Sequence, residues 1–128
     1  MKKNSVIKKF TVDKPWGGFT QFTHNQNSTV KILTINPGEE FSLQKHEHRA
    51  EFWQVLEGNP KVVIGSKTLT GRPGDNFWIP AGIKHRLSNP RKKRGKKKGP
   101  IIQVLEISLG DFKEEDIIRY EDKYGRSG

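Results

Sequence analysis

The sequence predicts an all-β domain of antiparallel strands, closed as a sandwich or small barrel, and three observations predict it. Apolar and polar residues alternate with period two in several short segments. Turn residues recur between them roughly every 8–12 positions, the spacing of antiparallel sandwiches and barrels. A helical period is nearly absent.

Taken in order, residues 30–35 form a strand that stops at Asn36-Pro37-Gly38, and residues 52–56 form one that stops at Glu57-Gly58-Asn59-Pro60. Residues 61–64 and 67–69 flank Gly65-Ser66, where glycine at the first central position suits a type II′ hairpin turn. Arg72-Pro73-Gly74-Asp75 is a turn, 77–79 a strand, Pro80-Ala81-Gly82 a turn and 84–87 a strand. Residues 101–108 are the longest apolar run. One short helix is expected over 111–118, with Asp111 as N-cap and Glu114 three residues on.

A chain of 128 residues is the size of one domain, here taken as 1–128 with its core at about 14–126. No run approaches the ~20 apolar residues of a membrane span, and the lysines before Phe10 precede no apolar signal segment, so the expected location is the cytoplasm. Without cysteine there is neither disulfide nor thiolate ligand, and any metal must be held by nitrogen and oxygen. The net charge of +10 is concentrated: residues 91–98 carry seven positive charges and no negative one, which leaves +3 for the rest. Residues 91–99 therefore read as a solvated basic loop, either without function or serving as a polyanion contact, a nuclear-import-like signal or an engineered insertion. Without interleaved aromatic residues it offers nucleic acid non-specific attraction only.

Histidines gather in one region. Gln44, His46 and His48 share one face of an extended segment, Glu51 follows, and His85 opens a distant strand. Imidazoles, a carboxylate and an amide oxygen together suit zinc, manganese, iron or cobalt. The same residues also fit an exposed polar loop in which Glu51 pairs with Arg49.

Spacing adds a resemblance. Gly38, Gln44, His46, Glu51 and Gly58 follow G-x5-Q-x-H-x4-E-x6-G, similar to the first cupin motif with glutamine for its first histidine. Gly74, Pro80, Gly82, His85 and Asn89 follow G-x5-P-x-G-x2-H-x3-N, which resembles the second motif. Further along, Lys14-Pro15-Trp16-Gly17-Gly18-Phe19, the segments 43–51 and 79–90, and Arg119-Tyr120-Glu121-Asp122-Lys123-Tyr124-Gly125-Arg126 resemble the type II phosphomannose isomerase domain, commonly the carboxy-terminal part of a bifunctional mannose-1-phosphate guanylyltransferase. Lys14 stands where arginine is common there, and the basic run lengthens a connection that is usually short.

The resemblance implies a conical jelly-roll barrel holding one divalent ion, zinc first and otherwise manganese, cobalt, iron or nickel, on Gln44, His46, Glu51 and His85. It also implies a homodimer and a metal-dependent isomerase that interconverts mannose 6-phosphate and fructose 6-phosphate by proton transfer between C1 and C2. The alternative is a cupin module that binds a sugar phosphate or nucleotide sugar without turnover. Strand parity puts Ile102, Val104, Glu106 and Ser108 on one face; Glu106 and His48 are the base candidates, and Glu106 reads equally as a carboxylate that orients a ligand histidine. Lys31, Arg49, Lys84 and Arg86 flank the motifs as cations for the phosphate, with Arg86 also a catalytic candidate, and Tyr124 and Arg126 join them from the tail. Trp16, Trp53 and Trp78 read as packing.

Overall fold

A computed structural model describes residues 7–92 and 99–126. The centre of the basic run, 93–98, lies outside the described residues. Eleven strands are found among them: β1 (Phe10–Lys14), β2 (Gly17–Gln21), β3 (Ser28–Ile35), β4 (Leu43–Lys45), β5 (Ala50–Glu57), β6 (Lys61–Ile64), β7 (Lys67–Thr70), β8 (Asn76–Ile79), β9 (His85–Ser88), β10 (Ile102–Leu109) and β11 (Ile118–Glu121). They form a hairpin, β1-β2, and two antiparallel sheets in the orders β3-β10-β5-β8 and β11-β4-β9-β6-β7.

The core lies between the two sheets, as period-two alternation requires. Trp53, Ile79, Ile102 and Val104 come from the first sheet and Val62 and Leu87 from the second, all at most 2% exposed, with Leu33, Ile35, Phe41, Ile64 and Phe77 packed around them. Burial of each such side chain contributes about 1.5–3 kcal/mol. Parity then fixes the site. On β10 the residues that alternate with the outward ones are Ile102, Val104, Glu106 and Ser108; the register sets Glu106 between Lys31 of β3 and Trp53 of β5, and Ser108 beside Glu51.

The opposite face of the first sheet carries Val30, Ile32, Leu105, Ile107, Phe52 and Trp78, with Ser28, Thr34, Gln103, Gln54 and Asn76 among them and exposed Glu57 opposite Gln103 at one end. Ile7 and Phe22 cover part of it. Val30 and Ile32 remain 59% and 58% exposed.

Two glycines are required by geometry. Gly65 turns the β6–β7 hairpin at φ +60, as a type II′ turn demands. Gly58 has φ +83, and a Cβ there would lie 2.8 Å from the Ile102 side chain and 2.9 Å from the Ile101 carbonyl. That contact adjoins the register shift between Gln103 and Val104.

The structure corrects one element: there is no helix over 111–118. Residues 110–117 form a turning connection closed by Asp116 N–H to the Lys113 carbonyl at 3.1 Å and Ile117 N–H to the Glu115 carbonyl at 2.9 Å. The chain then extends as β11, pairing with β4. Pairing with a sheet edge satisfies more backbone groups than two isolated helical turns, which nucleate poorly.

Candidate metal centre

β4, the segment after it, β5 and β9 each deliver a side chain to one point between the sheets. His46, Glu51 and His85 are 3%, 1% and 1% exposed, and their ligand atoms all lie within 4.8 Å of one another. His46 Nδ1 lies 2.7 Å from the Asp116 carbonyl and His85 Nδ1 lies 3.0 Å from the Ile83 carbonyl. A carbonyl only accepts, so both Nδ1 atoms carry the proton and both Nε2 lone pairs face the cluster. Glu51 Oε1 lies 3.7 Å from His46 Nε2 and 3.5 Å from His85 Nε2.

Three acceptors thus converge, of which His46 Nε2 has Arg49 Nη2 and the Gln44 amide nitrogen each 3.4 Å away. Glu51 Oε1 and His85 Nε2 are buried and lack any hydrogen-bond partner, a costly arrangement that a cation relieves. The electrostatics agree. Burial lowers the pKa of His85 to about 4 and, with Arg49 nearby, lowers that of His46, so both rings are neutral near pH 7 and ready to ligate. Burial raises the Glu51 pKa, against the pull of Arg49. The other Glu51 oxygen, Oε2, accepts from Arg49 Nε at 3.3 Å and Ser108 Oγ at 3.2 Å, which aims Oε1 at the imidazoles. The donor set fits a divalent ion of the zinc, manganese, iron or cobalt type.

Gln44 reaches the same cluster with its amide nitrogen, 3.4 Å from His46 Nε2, while Ser42 Oγ donates to its Oε1 at 2.7 Å. A half-turn of the amide exchanges its two ends. Ser42, able to donate or accept, satisfies either orientation.

Glu106 lies on the wall of the same cavity, together with Lys31, Phe41, Arg49, Phe112 and Arg119. It is 7% exposed, and its Oε2 accepts the Trp53 indole N–H at 3.1 Å. Burial, reinforced by the negative charge of Glu51, raises its pKa to about 7. Arg49 is buried too; its guanidinium lies 4.1 Å from the Phe112 ring, and the Lys31 ammonium lies 4.2 Å from that ring. Lys31 also pairs with exposed Glu114 at 3.4 Å.

Other sequence candidates are not brought to this cavity. His48 is exposed, because β4 ends at Lys45 and the bend at 47–48 breaks the parity that aligned it with Gln44 and His46. Arg86 lies on the face of β9 opposite His85, where it donates to Glu121 and to the Phe41 carbonyl. Lys84 sits over the Tyr120 ring at 4.0 Å. Tyr124 and Arg126 line a neighbouring, larger concavity of about 350 Å³, which shares Phe41 as a wall; there Tyr124 donates to Glu39 at 2.7 Å and Arg126 to Asp122 at 2.8 Å. That larger space lacks the converging ligand set.

Sequence reasoning missed Ser42, Phe112 and Asp116, which lie outside both motifs' fixed positions. It read Trp53 as packing, and the ring is fully buried, but its N–H also fixes Glu106.

Comparison with known proteins agrees with this architecture. Residues 2–122 match the family model described as mannose-6-phosphate isomerase C-terminal. Xanthan biosynthesis protein XanB of Xanthomonas campestris is 38% identical over 117 residues, covering 91% of this chain and 24% of XanB. A mannose-1-phosphate guanylyltransferase of Escherichia coli K12 is 38% identical over 117 residues, covering 90% of this chain and 23% of that enzyme. The chain thus spans about a quarter of the length of these relatives. Among solved structures, a cupin 2 domain-containing protein of Halorhodospira halophila aligns at TM-score 0.59 and 18% identity, over 80% of this chain and 63% of that one. Oxalate decarboxylase of Bacillus subtilis aligns at TM-score 0.61 and 19% identity, over 73% of this chain and 24% of that one. An all-β cupin fold with a buried histidine and glutamate cluster, matched by that model over nearly all its length, makes this chain a member of the mannose-6-phosphate isomerase C-terminal family.

Proposed function

We propose that this domain is a metal-dependent aldose–ketose isomerase that interconverts mannose 6-phosphate and fructose 6-phosphate. The observation that carries the reading is Glu106: a buried carboxyl with a pKa near 7, on the wall of the cavity that His46 and Glu51 also line, where Glu51 Oε1 has no hydrogen-bond partner. Aldose–ketose isomerisation removes a proton from C2 and delivers one to C1, with a compensating proton shift between O1 and O2. A carboxylate whose pKa lies near neutrality suits both halves of that transfer. Burial makes Glu106 a stronger base than an exposed glutamate, and the Trp53 N–H fixes its orientation.

His46, Glu51 and His85, with Gln44 as a fourth donor, are the residues to hold a divalent ion. Such an ion supplies Lewis-acid polarisation of the substrate oxygens. Arg49 and Lys31, each within 4.2 Å of the Phe112 ring, give the cavity wall positive charge for the anionic phosphate. The family relationship supports the substrate class, since the matching family is described as mannose-6-phosphate isomerase C-terminal and the relatives as a xanthan biosynthesis protein and a mannose-1-phosphate guanylyltransferase.

The test is direct. Protein loaded with zinc or manganese is incubated with mannose 6-phosphate in heavy water, and both fructose 6-phosphate and deuterium at carbon are measured. The expected result is turnover with isotope at C1 or C2, lowered at least 100-fold in Glu106→Gln at unchanged metal content. Binding of the sugar phosphate without turnover would instead support a non-catalytic cupin module.

A further inference from the structure

The connection between β10 and β11 makes contacts that its sequence does not advertise. Asp116 touches three consecutive residues of the segment that carries His46. Its Oδ1 accepts the Glu47 N–H at 2.9 Å, its Oδ2 accepts the His48 N–H at 3.0 Å, and its carbonyl accepts His46 Nδ1–H at 2.7 Å. The neighbouring Lys113 carbonyl accepts Arg49 Nη1 at 3.0 Å, which extends the clasp to a fourth residue.

These bonds act where regular structure stops. β4 ends at Lys45 and β5 starts at Ala50, so residues 46–49 lie outside both strands, held on the β9 side by the Gly82 N–H to the His46 carbonyl at 2.7 Å. The connection is itself tied down: Gly110 N–H reaches the Asn27 carbonyl at 2.9 Å, Asn27 Nδ2 donates to Asp111 Oδ1 at 2.9 Å, and Phe112 is half-buried beside Lys31 and Arg49. A backbone carbonyl on Nδ1 also fixes the tautomer that directs the His46 Nε2 lone pair into the cluster.

The geometry points to Asp116 as the positioning residue of the metal centre: it clasps the 46–49 segment and sets the ring orientation of His46, so that the ligand set is formed before an ion arrives. This rests on the metal reading above. A merely structural aspartate would support the fold and leave affinity and coordination geometry unchanged once the protein is folded.

The experiment compares wild type, Asp116→Ala, Asp116→Asn and Glu115→Ala, an exposed neighbour. Cobalt(II) is titrated into each metal-free protein at a temperature where circular dichroism shows all to be folded, and the visible absorption band of the bound ion is recorded. Asp116→Ala keeps the carbonyl but removes the carboxylate bonds that hold residues 47 and 48, and with them His46, against it; this loss should weaken cobalt affinity 10–100-fold, the usual range for partners that orient metal ligands, with an altered band. Asp116→Asn, which keeps one acceptor oxygen, should recover part of both, and Glu115→Ala should match wild type. If Asp116→Ala does not fold, Asp116→Asn carries the comparison alone. Wild-type affinity and spectrum in whichever folded Asp116 variant is measured would overturn the positioning role while leaving the metal reading intact. Absence of cobalt binding by wild type would overturn both.

Discussion

Replacing Glu106 with glutamine should change how the stability of the metal-free domain depends on pH. In the folded state burial and the nearby Glu51 charge raise the Glu106 pKa to about 7, against an ordinary value of 4.5. The folded protein therefore binds this proton more tightly than the unfolded chain. Its contribution is fully present below the unfolded pKa and is lost as pH rises through the folded one, a loss of about 2 kcal/mol between pH 5.5 and 8. His85 acts in the opposite sense. Its folded pKa is lowered to about 4 from 6.5 by burial, so it contributes above the unfolded value and loses about 1.4 kcal/mol as pH falls from 8 to 5.5. His46 is lowered as well and adds to the second trend. In wild type the raised Glu106 and Glu51 oppose the lowered histidines. Glu106→Gln removes one of the opposing groups, so from pH 5.5 to 8 the stability of the variant should rise relative to that of wild type by about 2 kcal/mol. Urea unfolding of chelator-treated protein at the two pH values, read by tryptophan fluorescence, measures the difference. Parallel pH profiles for the two proteins would refute the assignment of a raised Glu106 proton affinity.

Three further outcomes are expected. Lys31→Met should raise KM for mannose 6-phosphate, whereas Arg86→Met, altering a residue bonded to Glu121 and the Phe41 carbonyl, should lower melting temperature with little effect on KM; steady-state kinetics beside thermal melts separate the two. Replacing residues 92–98 with two glycines should change stability by no more than about 1 kcal/mol, because closure entropy depends weakly on loop length and Asn89 already ties the loop base to the Ile35 and Pro100 carbonyls; urea melts test this. Wild type should sediment as a dimer through the largely apolar outward face of the first sheet, and Ile32→Glu, on a residue 58% exposed there, as a folded monomer; a monomeric wild type at 100-fold dilution and at high concentration alike contradicts this.

Much of the first sheet and the core was legible because alternation and burial obey one rule. Residues 52–56 and 101–108 read as strands and lie in β5 and β10, and parity along 102–108 correctly grouped Glu106 with Ser108. The strands that escaped are those for which alternation carries little information. β1 and β2 are mostly exposed on both faces, β4 is three residues long, and β11 sits at an edge. The convergence of His46, Glu51 and His85 was legible because their spacing is local within each motif. His48 misled because parity was carried past the end of a strand. Asp116 was invisible for a different reason: its partners lie about 70 positions earlier, and an aspartate in an acidic, helix-like stretch gives no local sign of such a contact.

That separation in sequence has a kinetic consequence. The contacts that shape the centre, His46 with Asp116, Glu51 with Ser108 and Trp53 with Glu106, span 70, 57 and 53 residues. None can form by local collapse, so each must wait for a long loop to close before any energetic return. Topologies dominated by such pairings fold on roughly millisecond-to-second timescales rather than in microseconds. The centre should therefore arise in the same cooperative step as the sandwich itself, and a partly folded chain would hold the histidines and carboxylates as unrelated, solvated side chains.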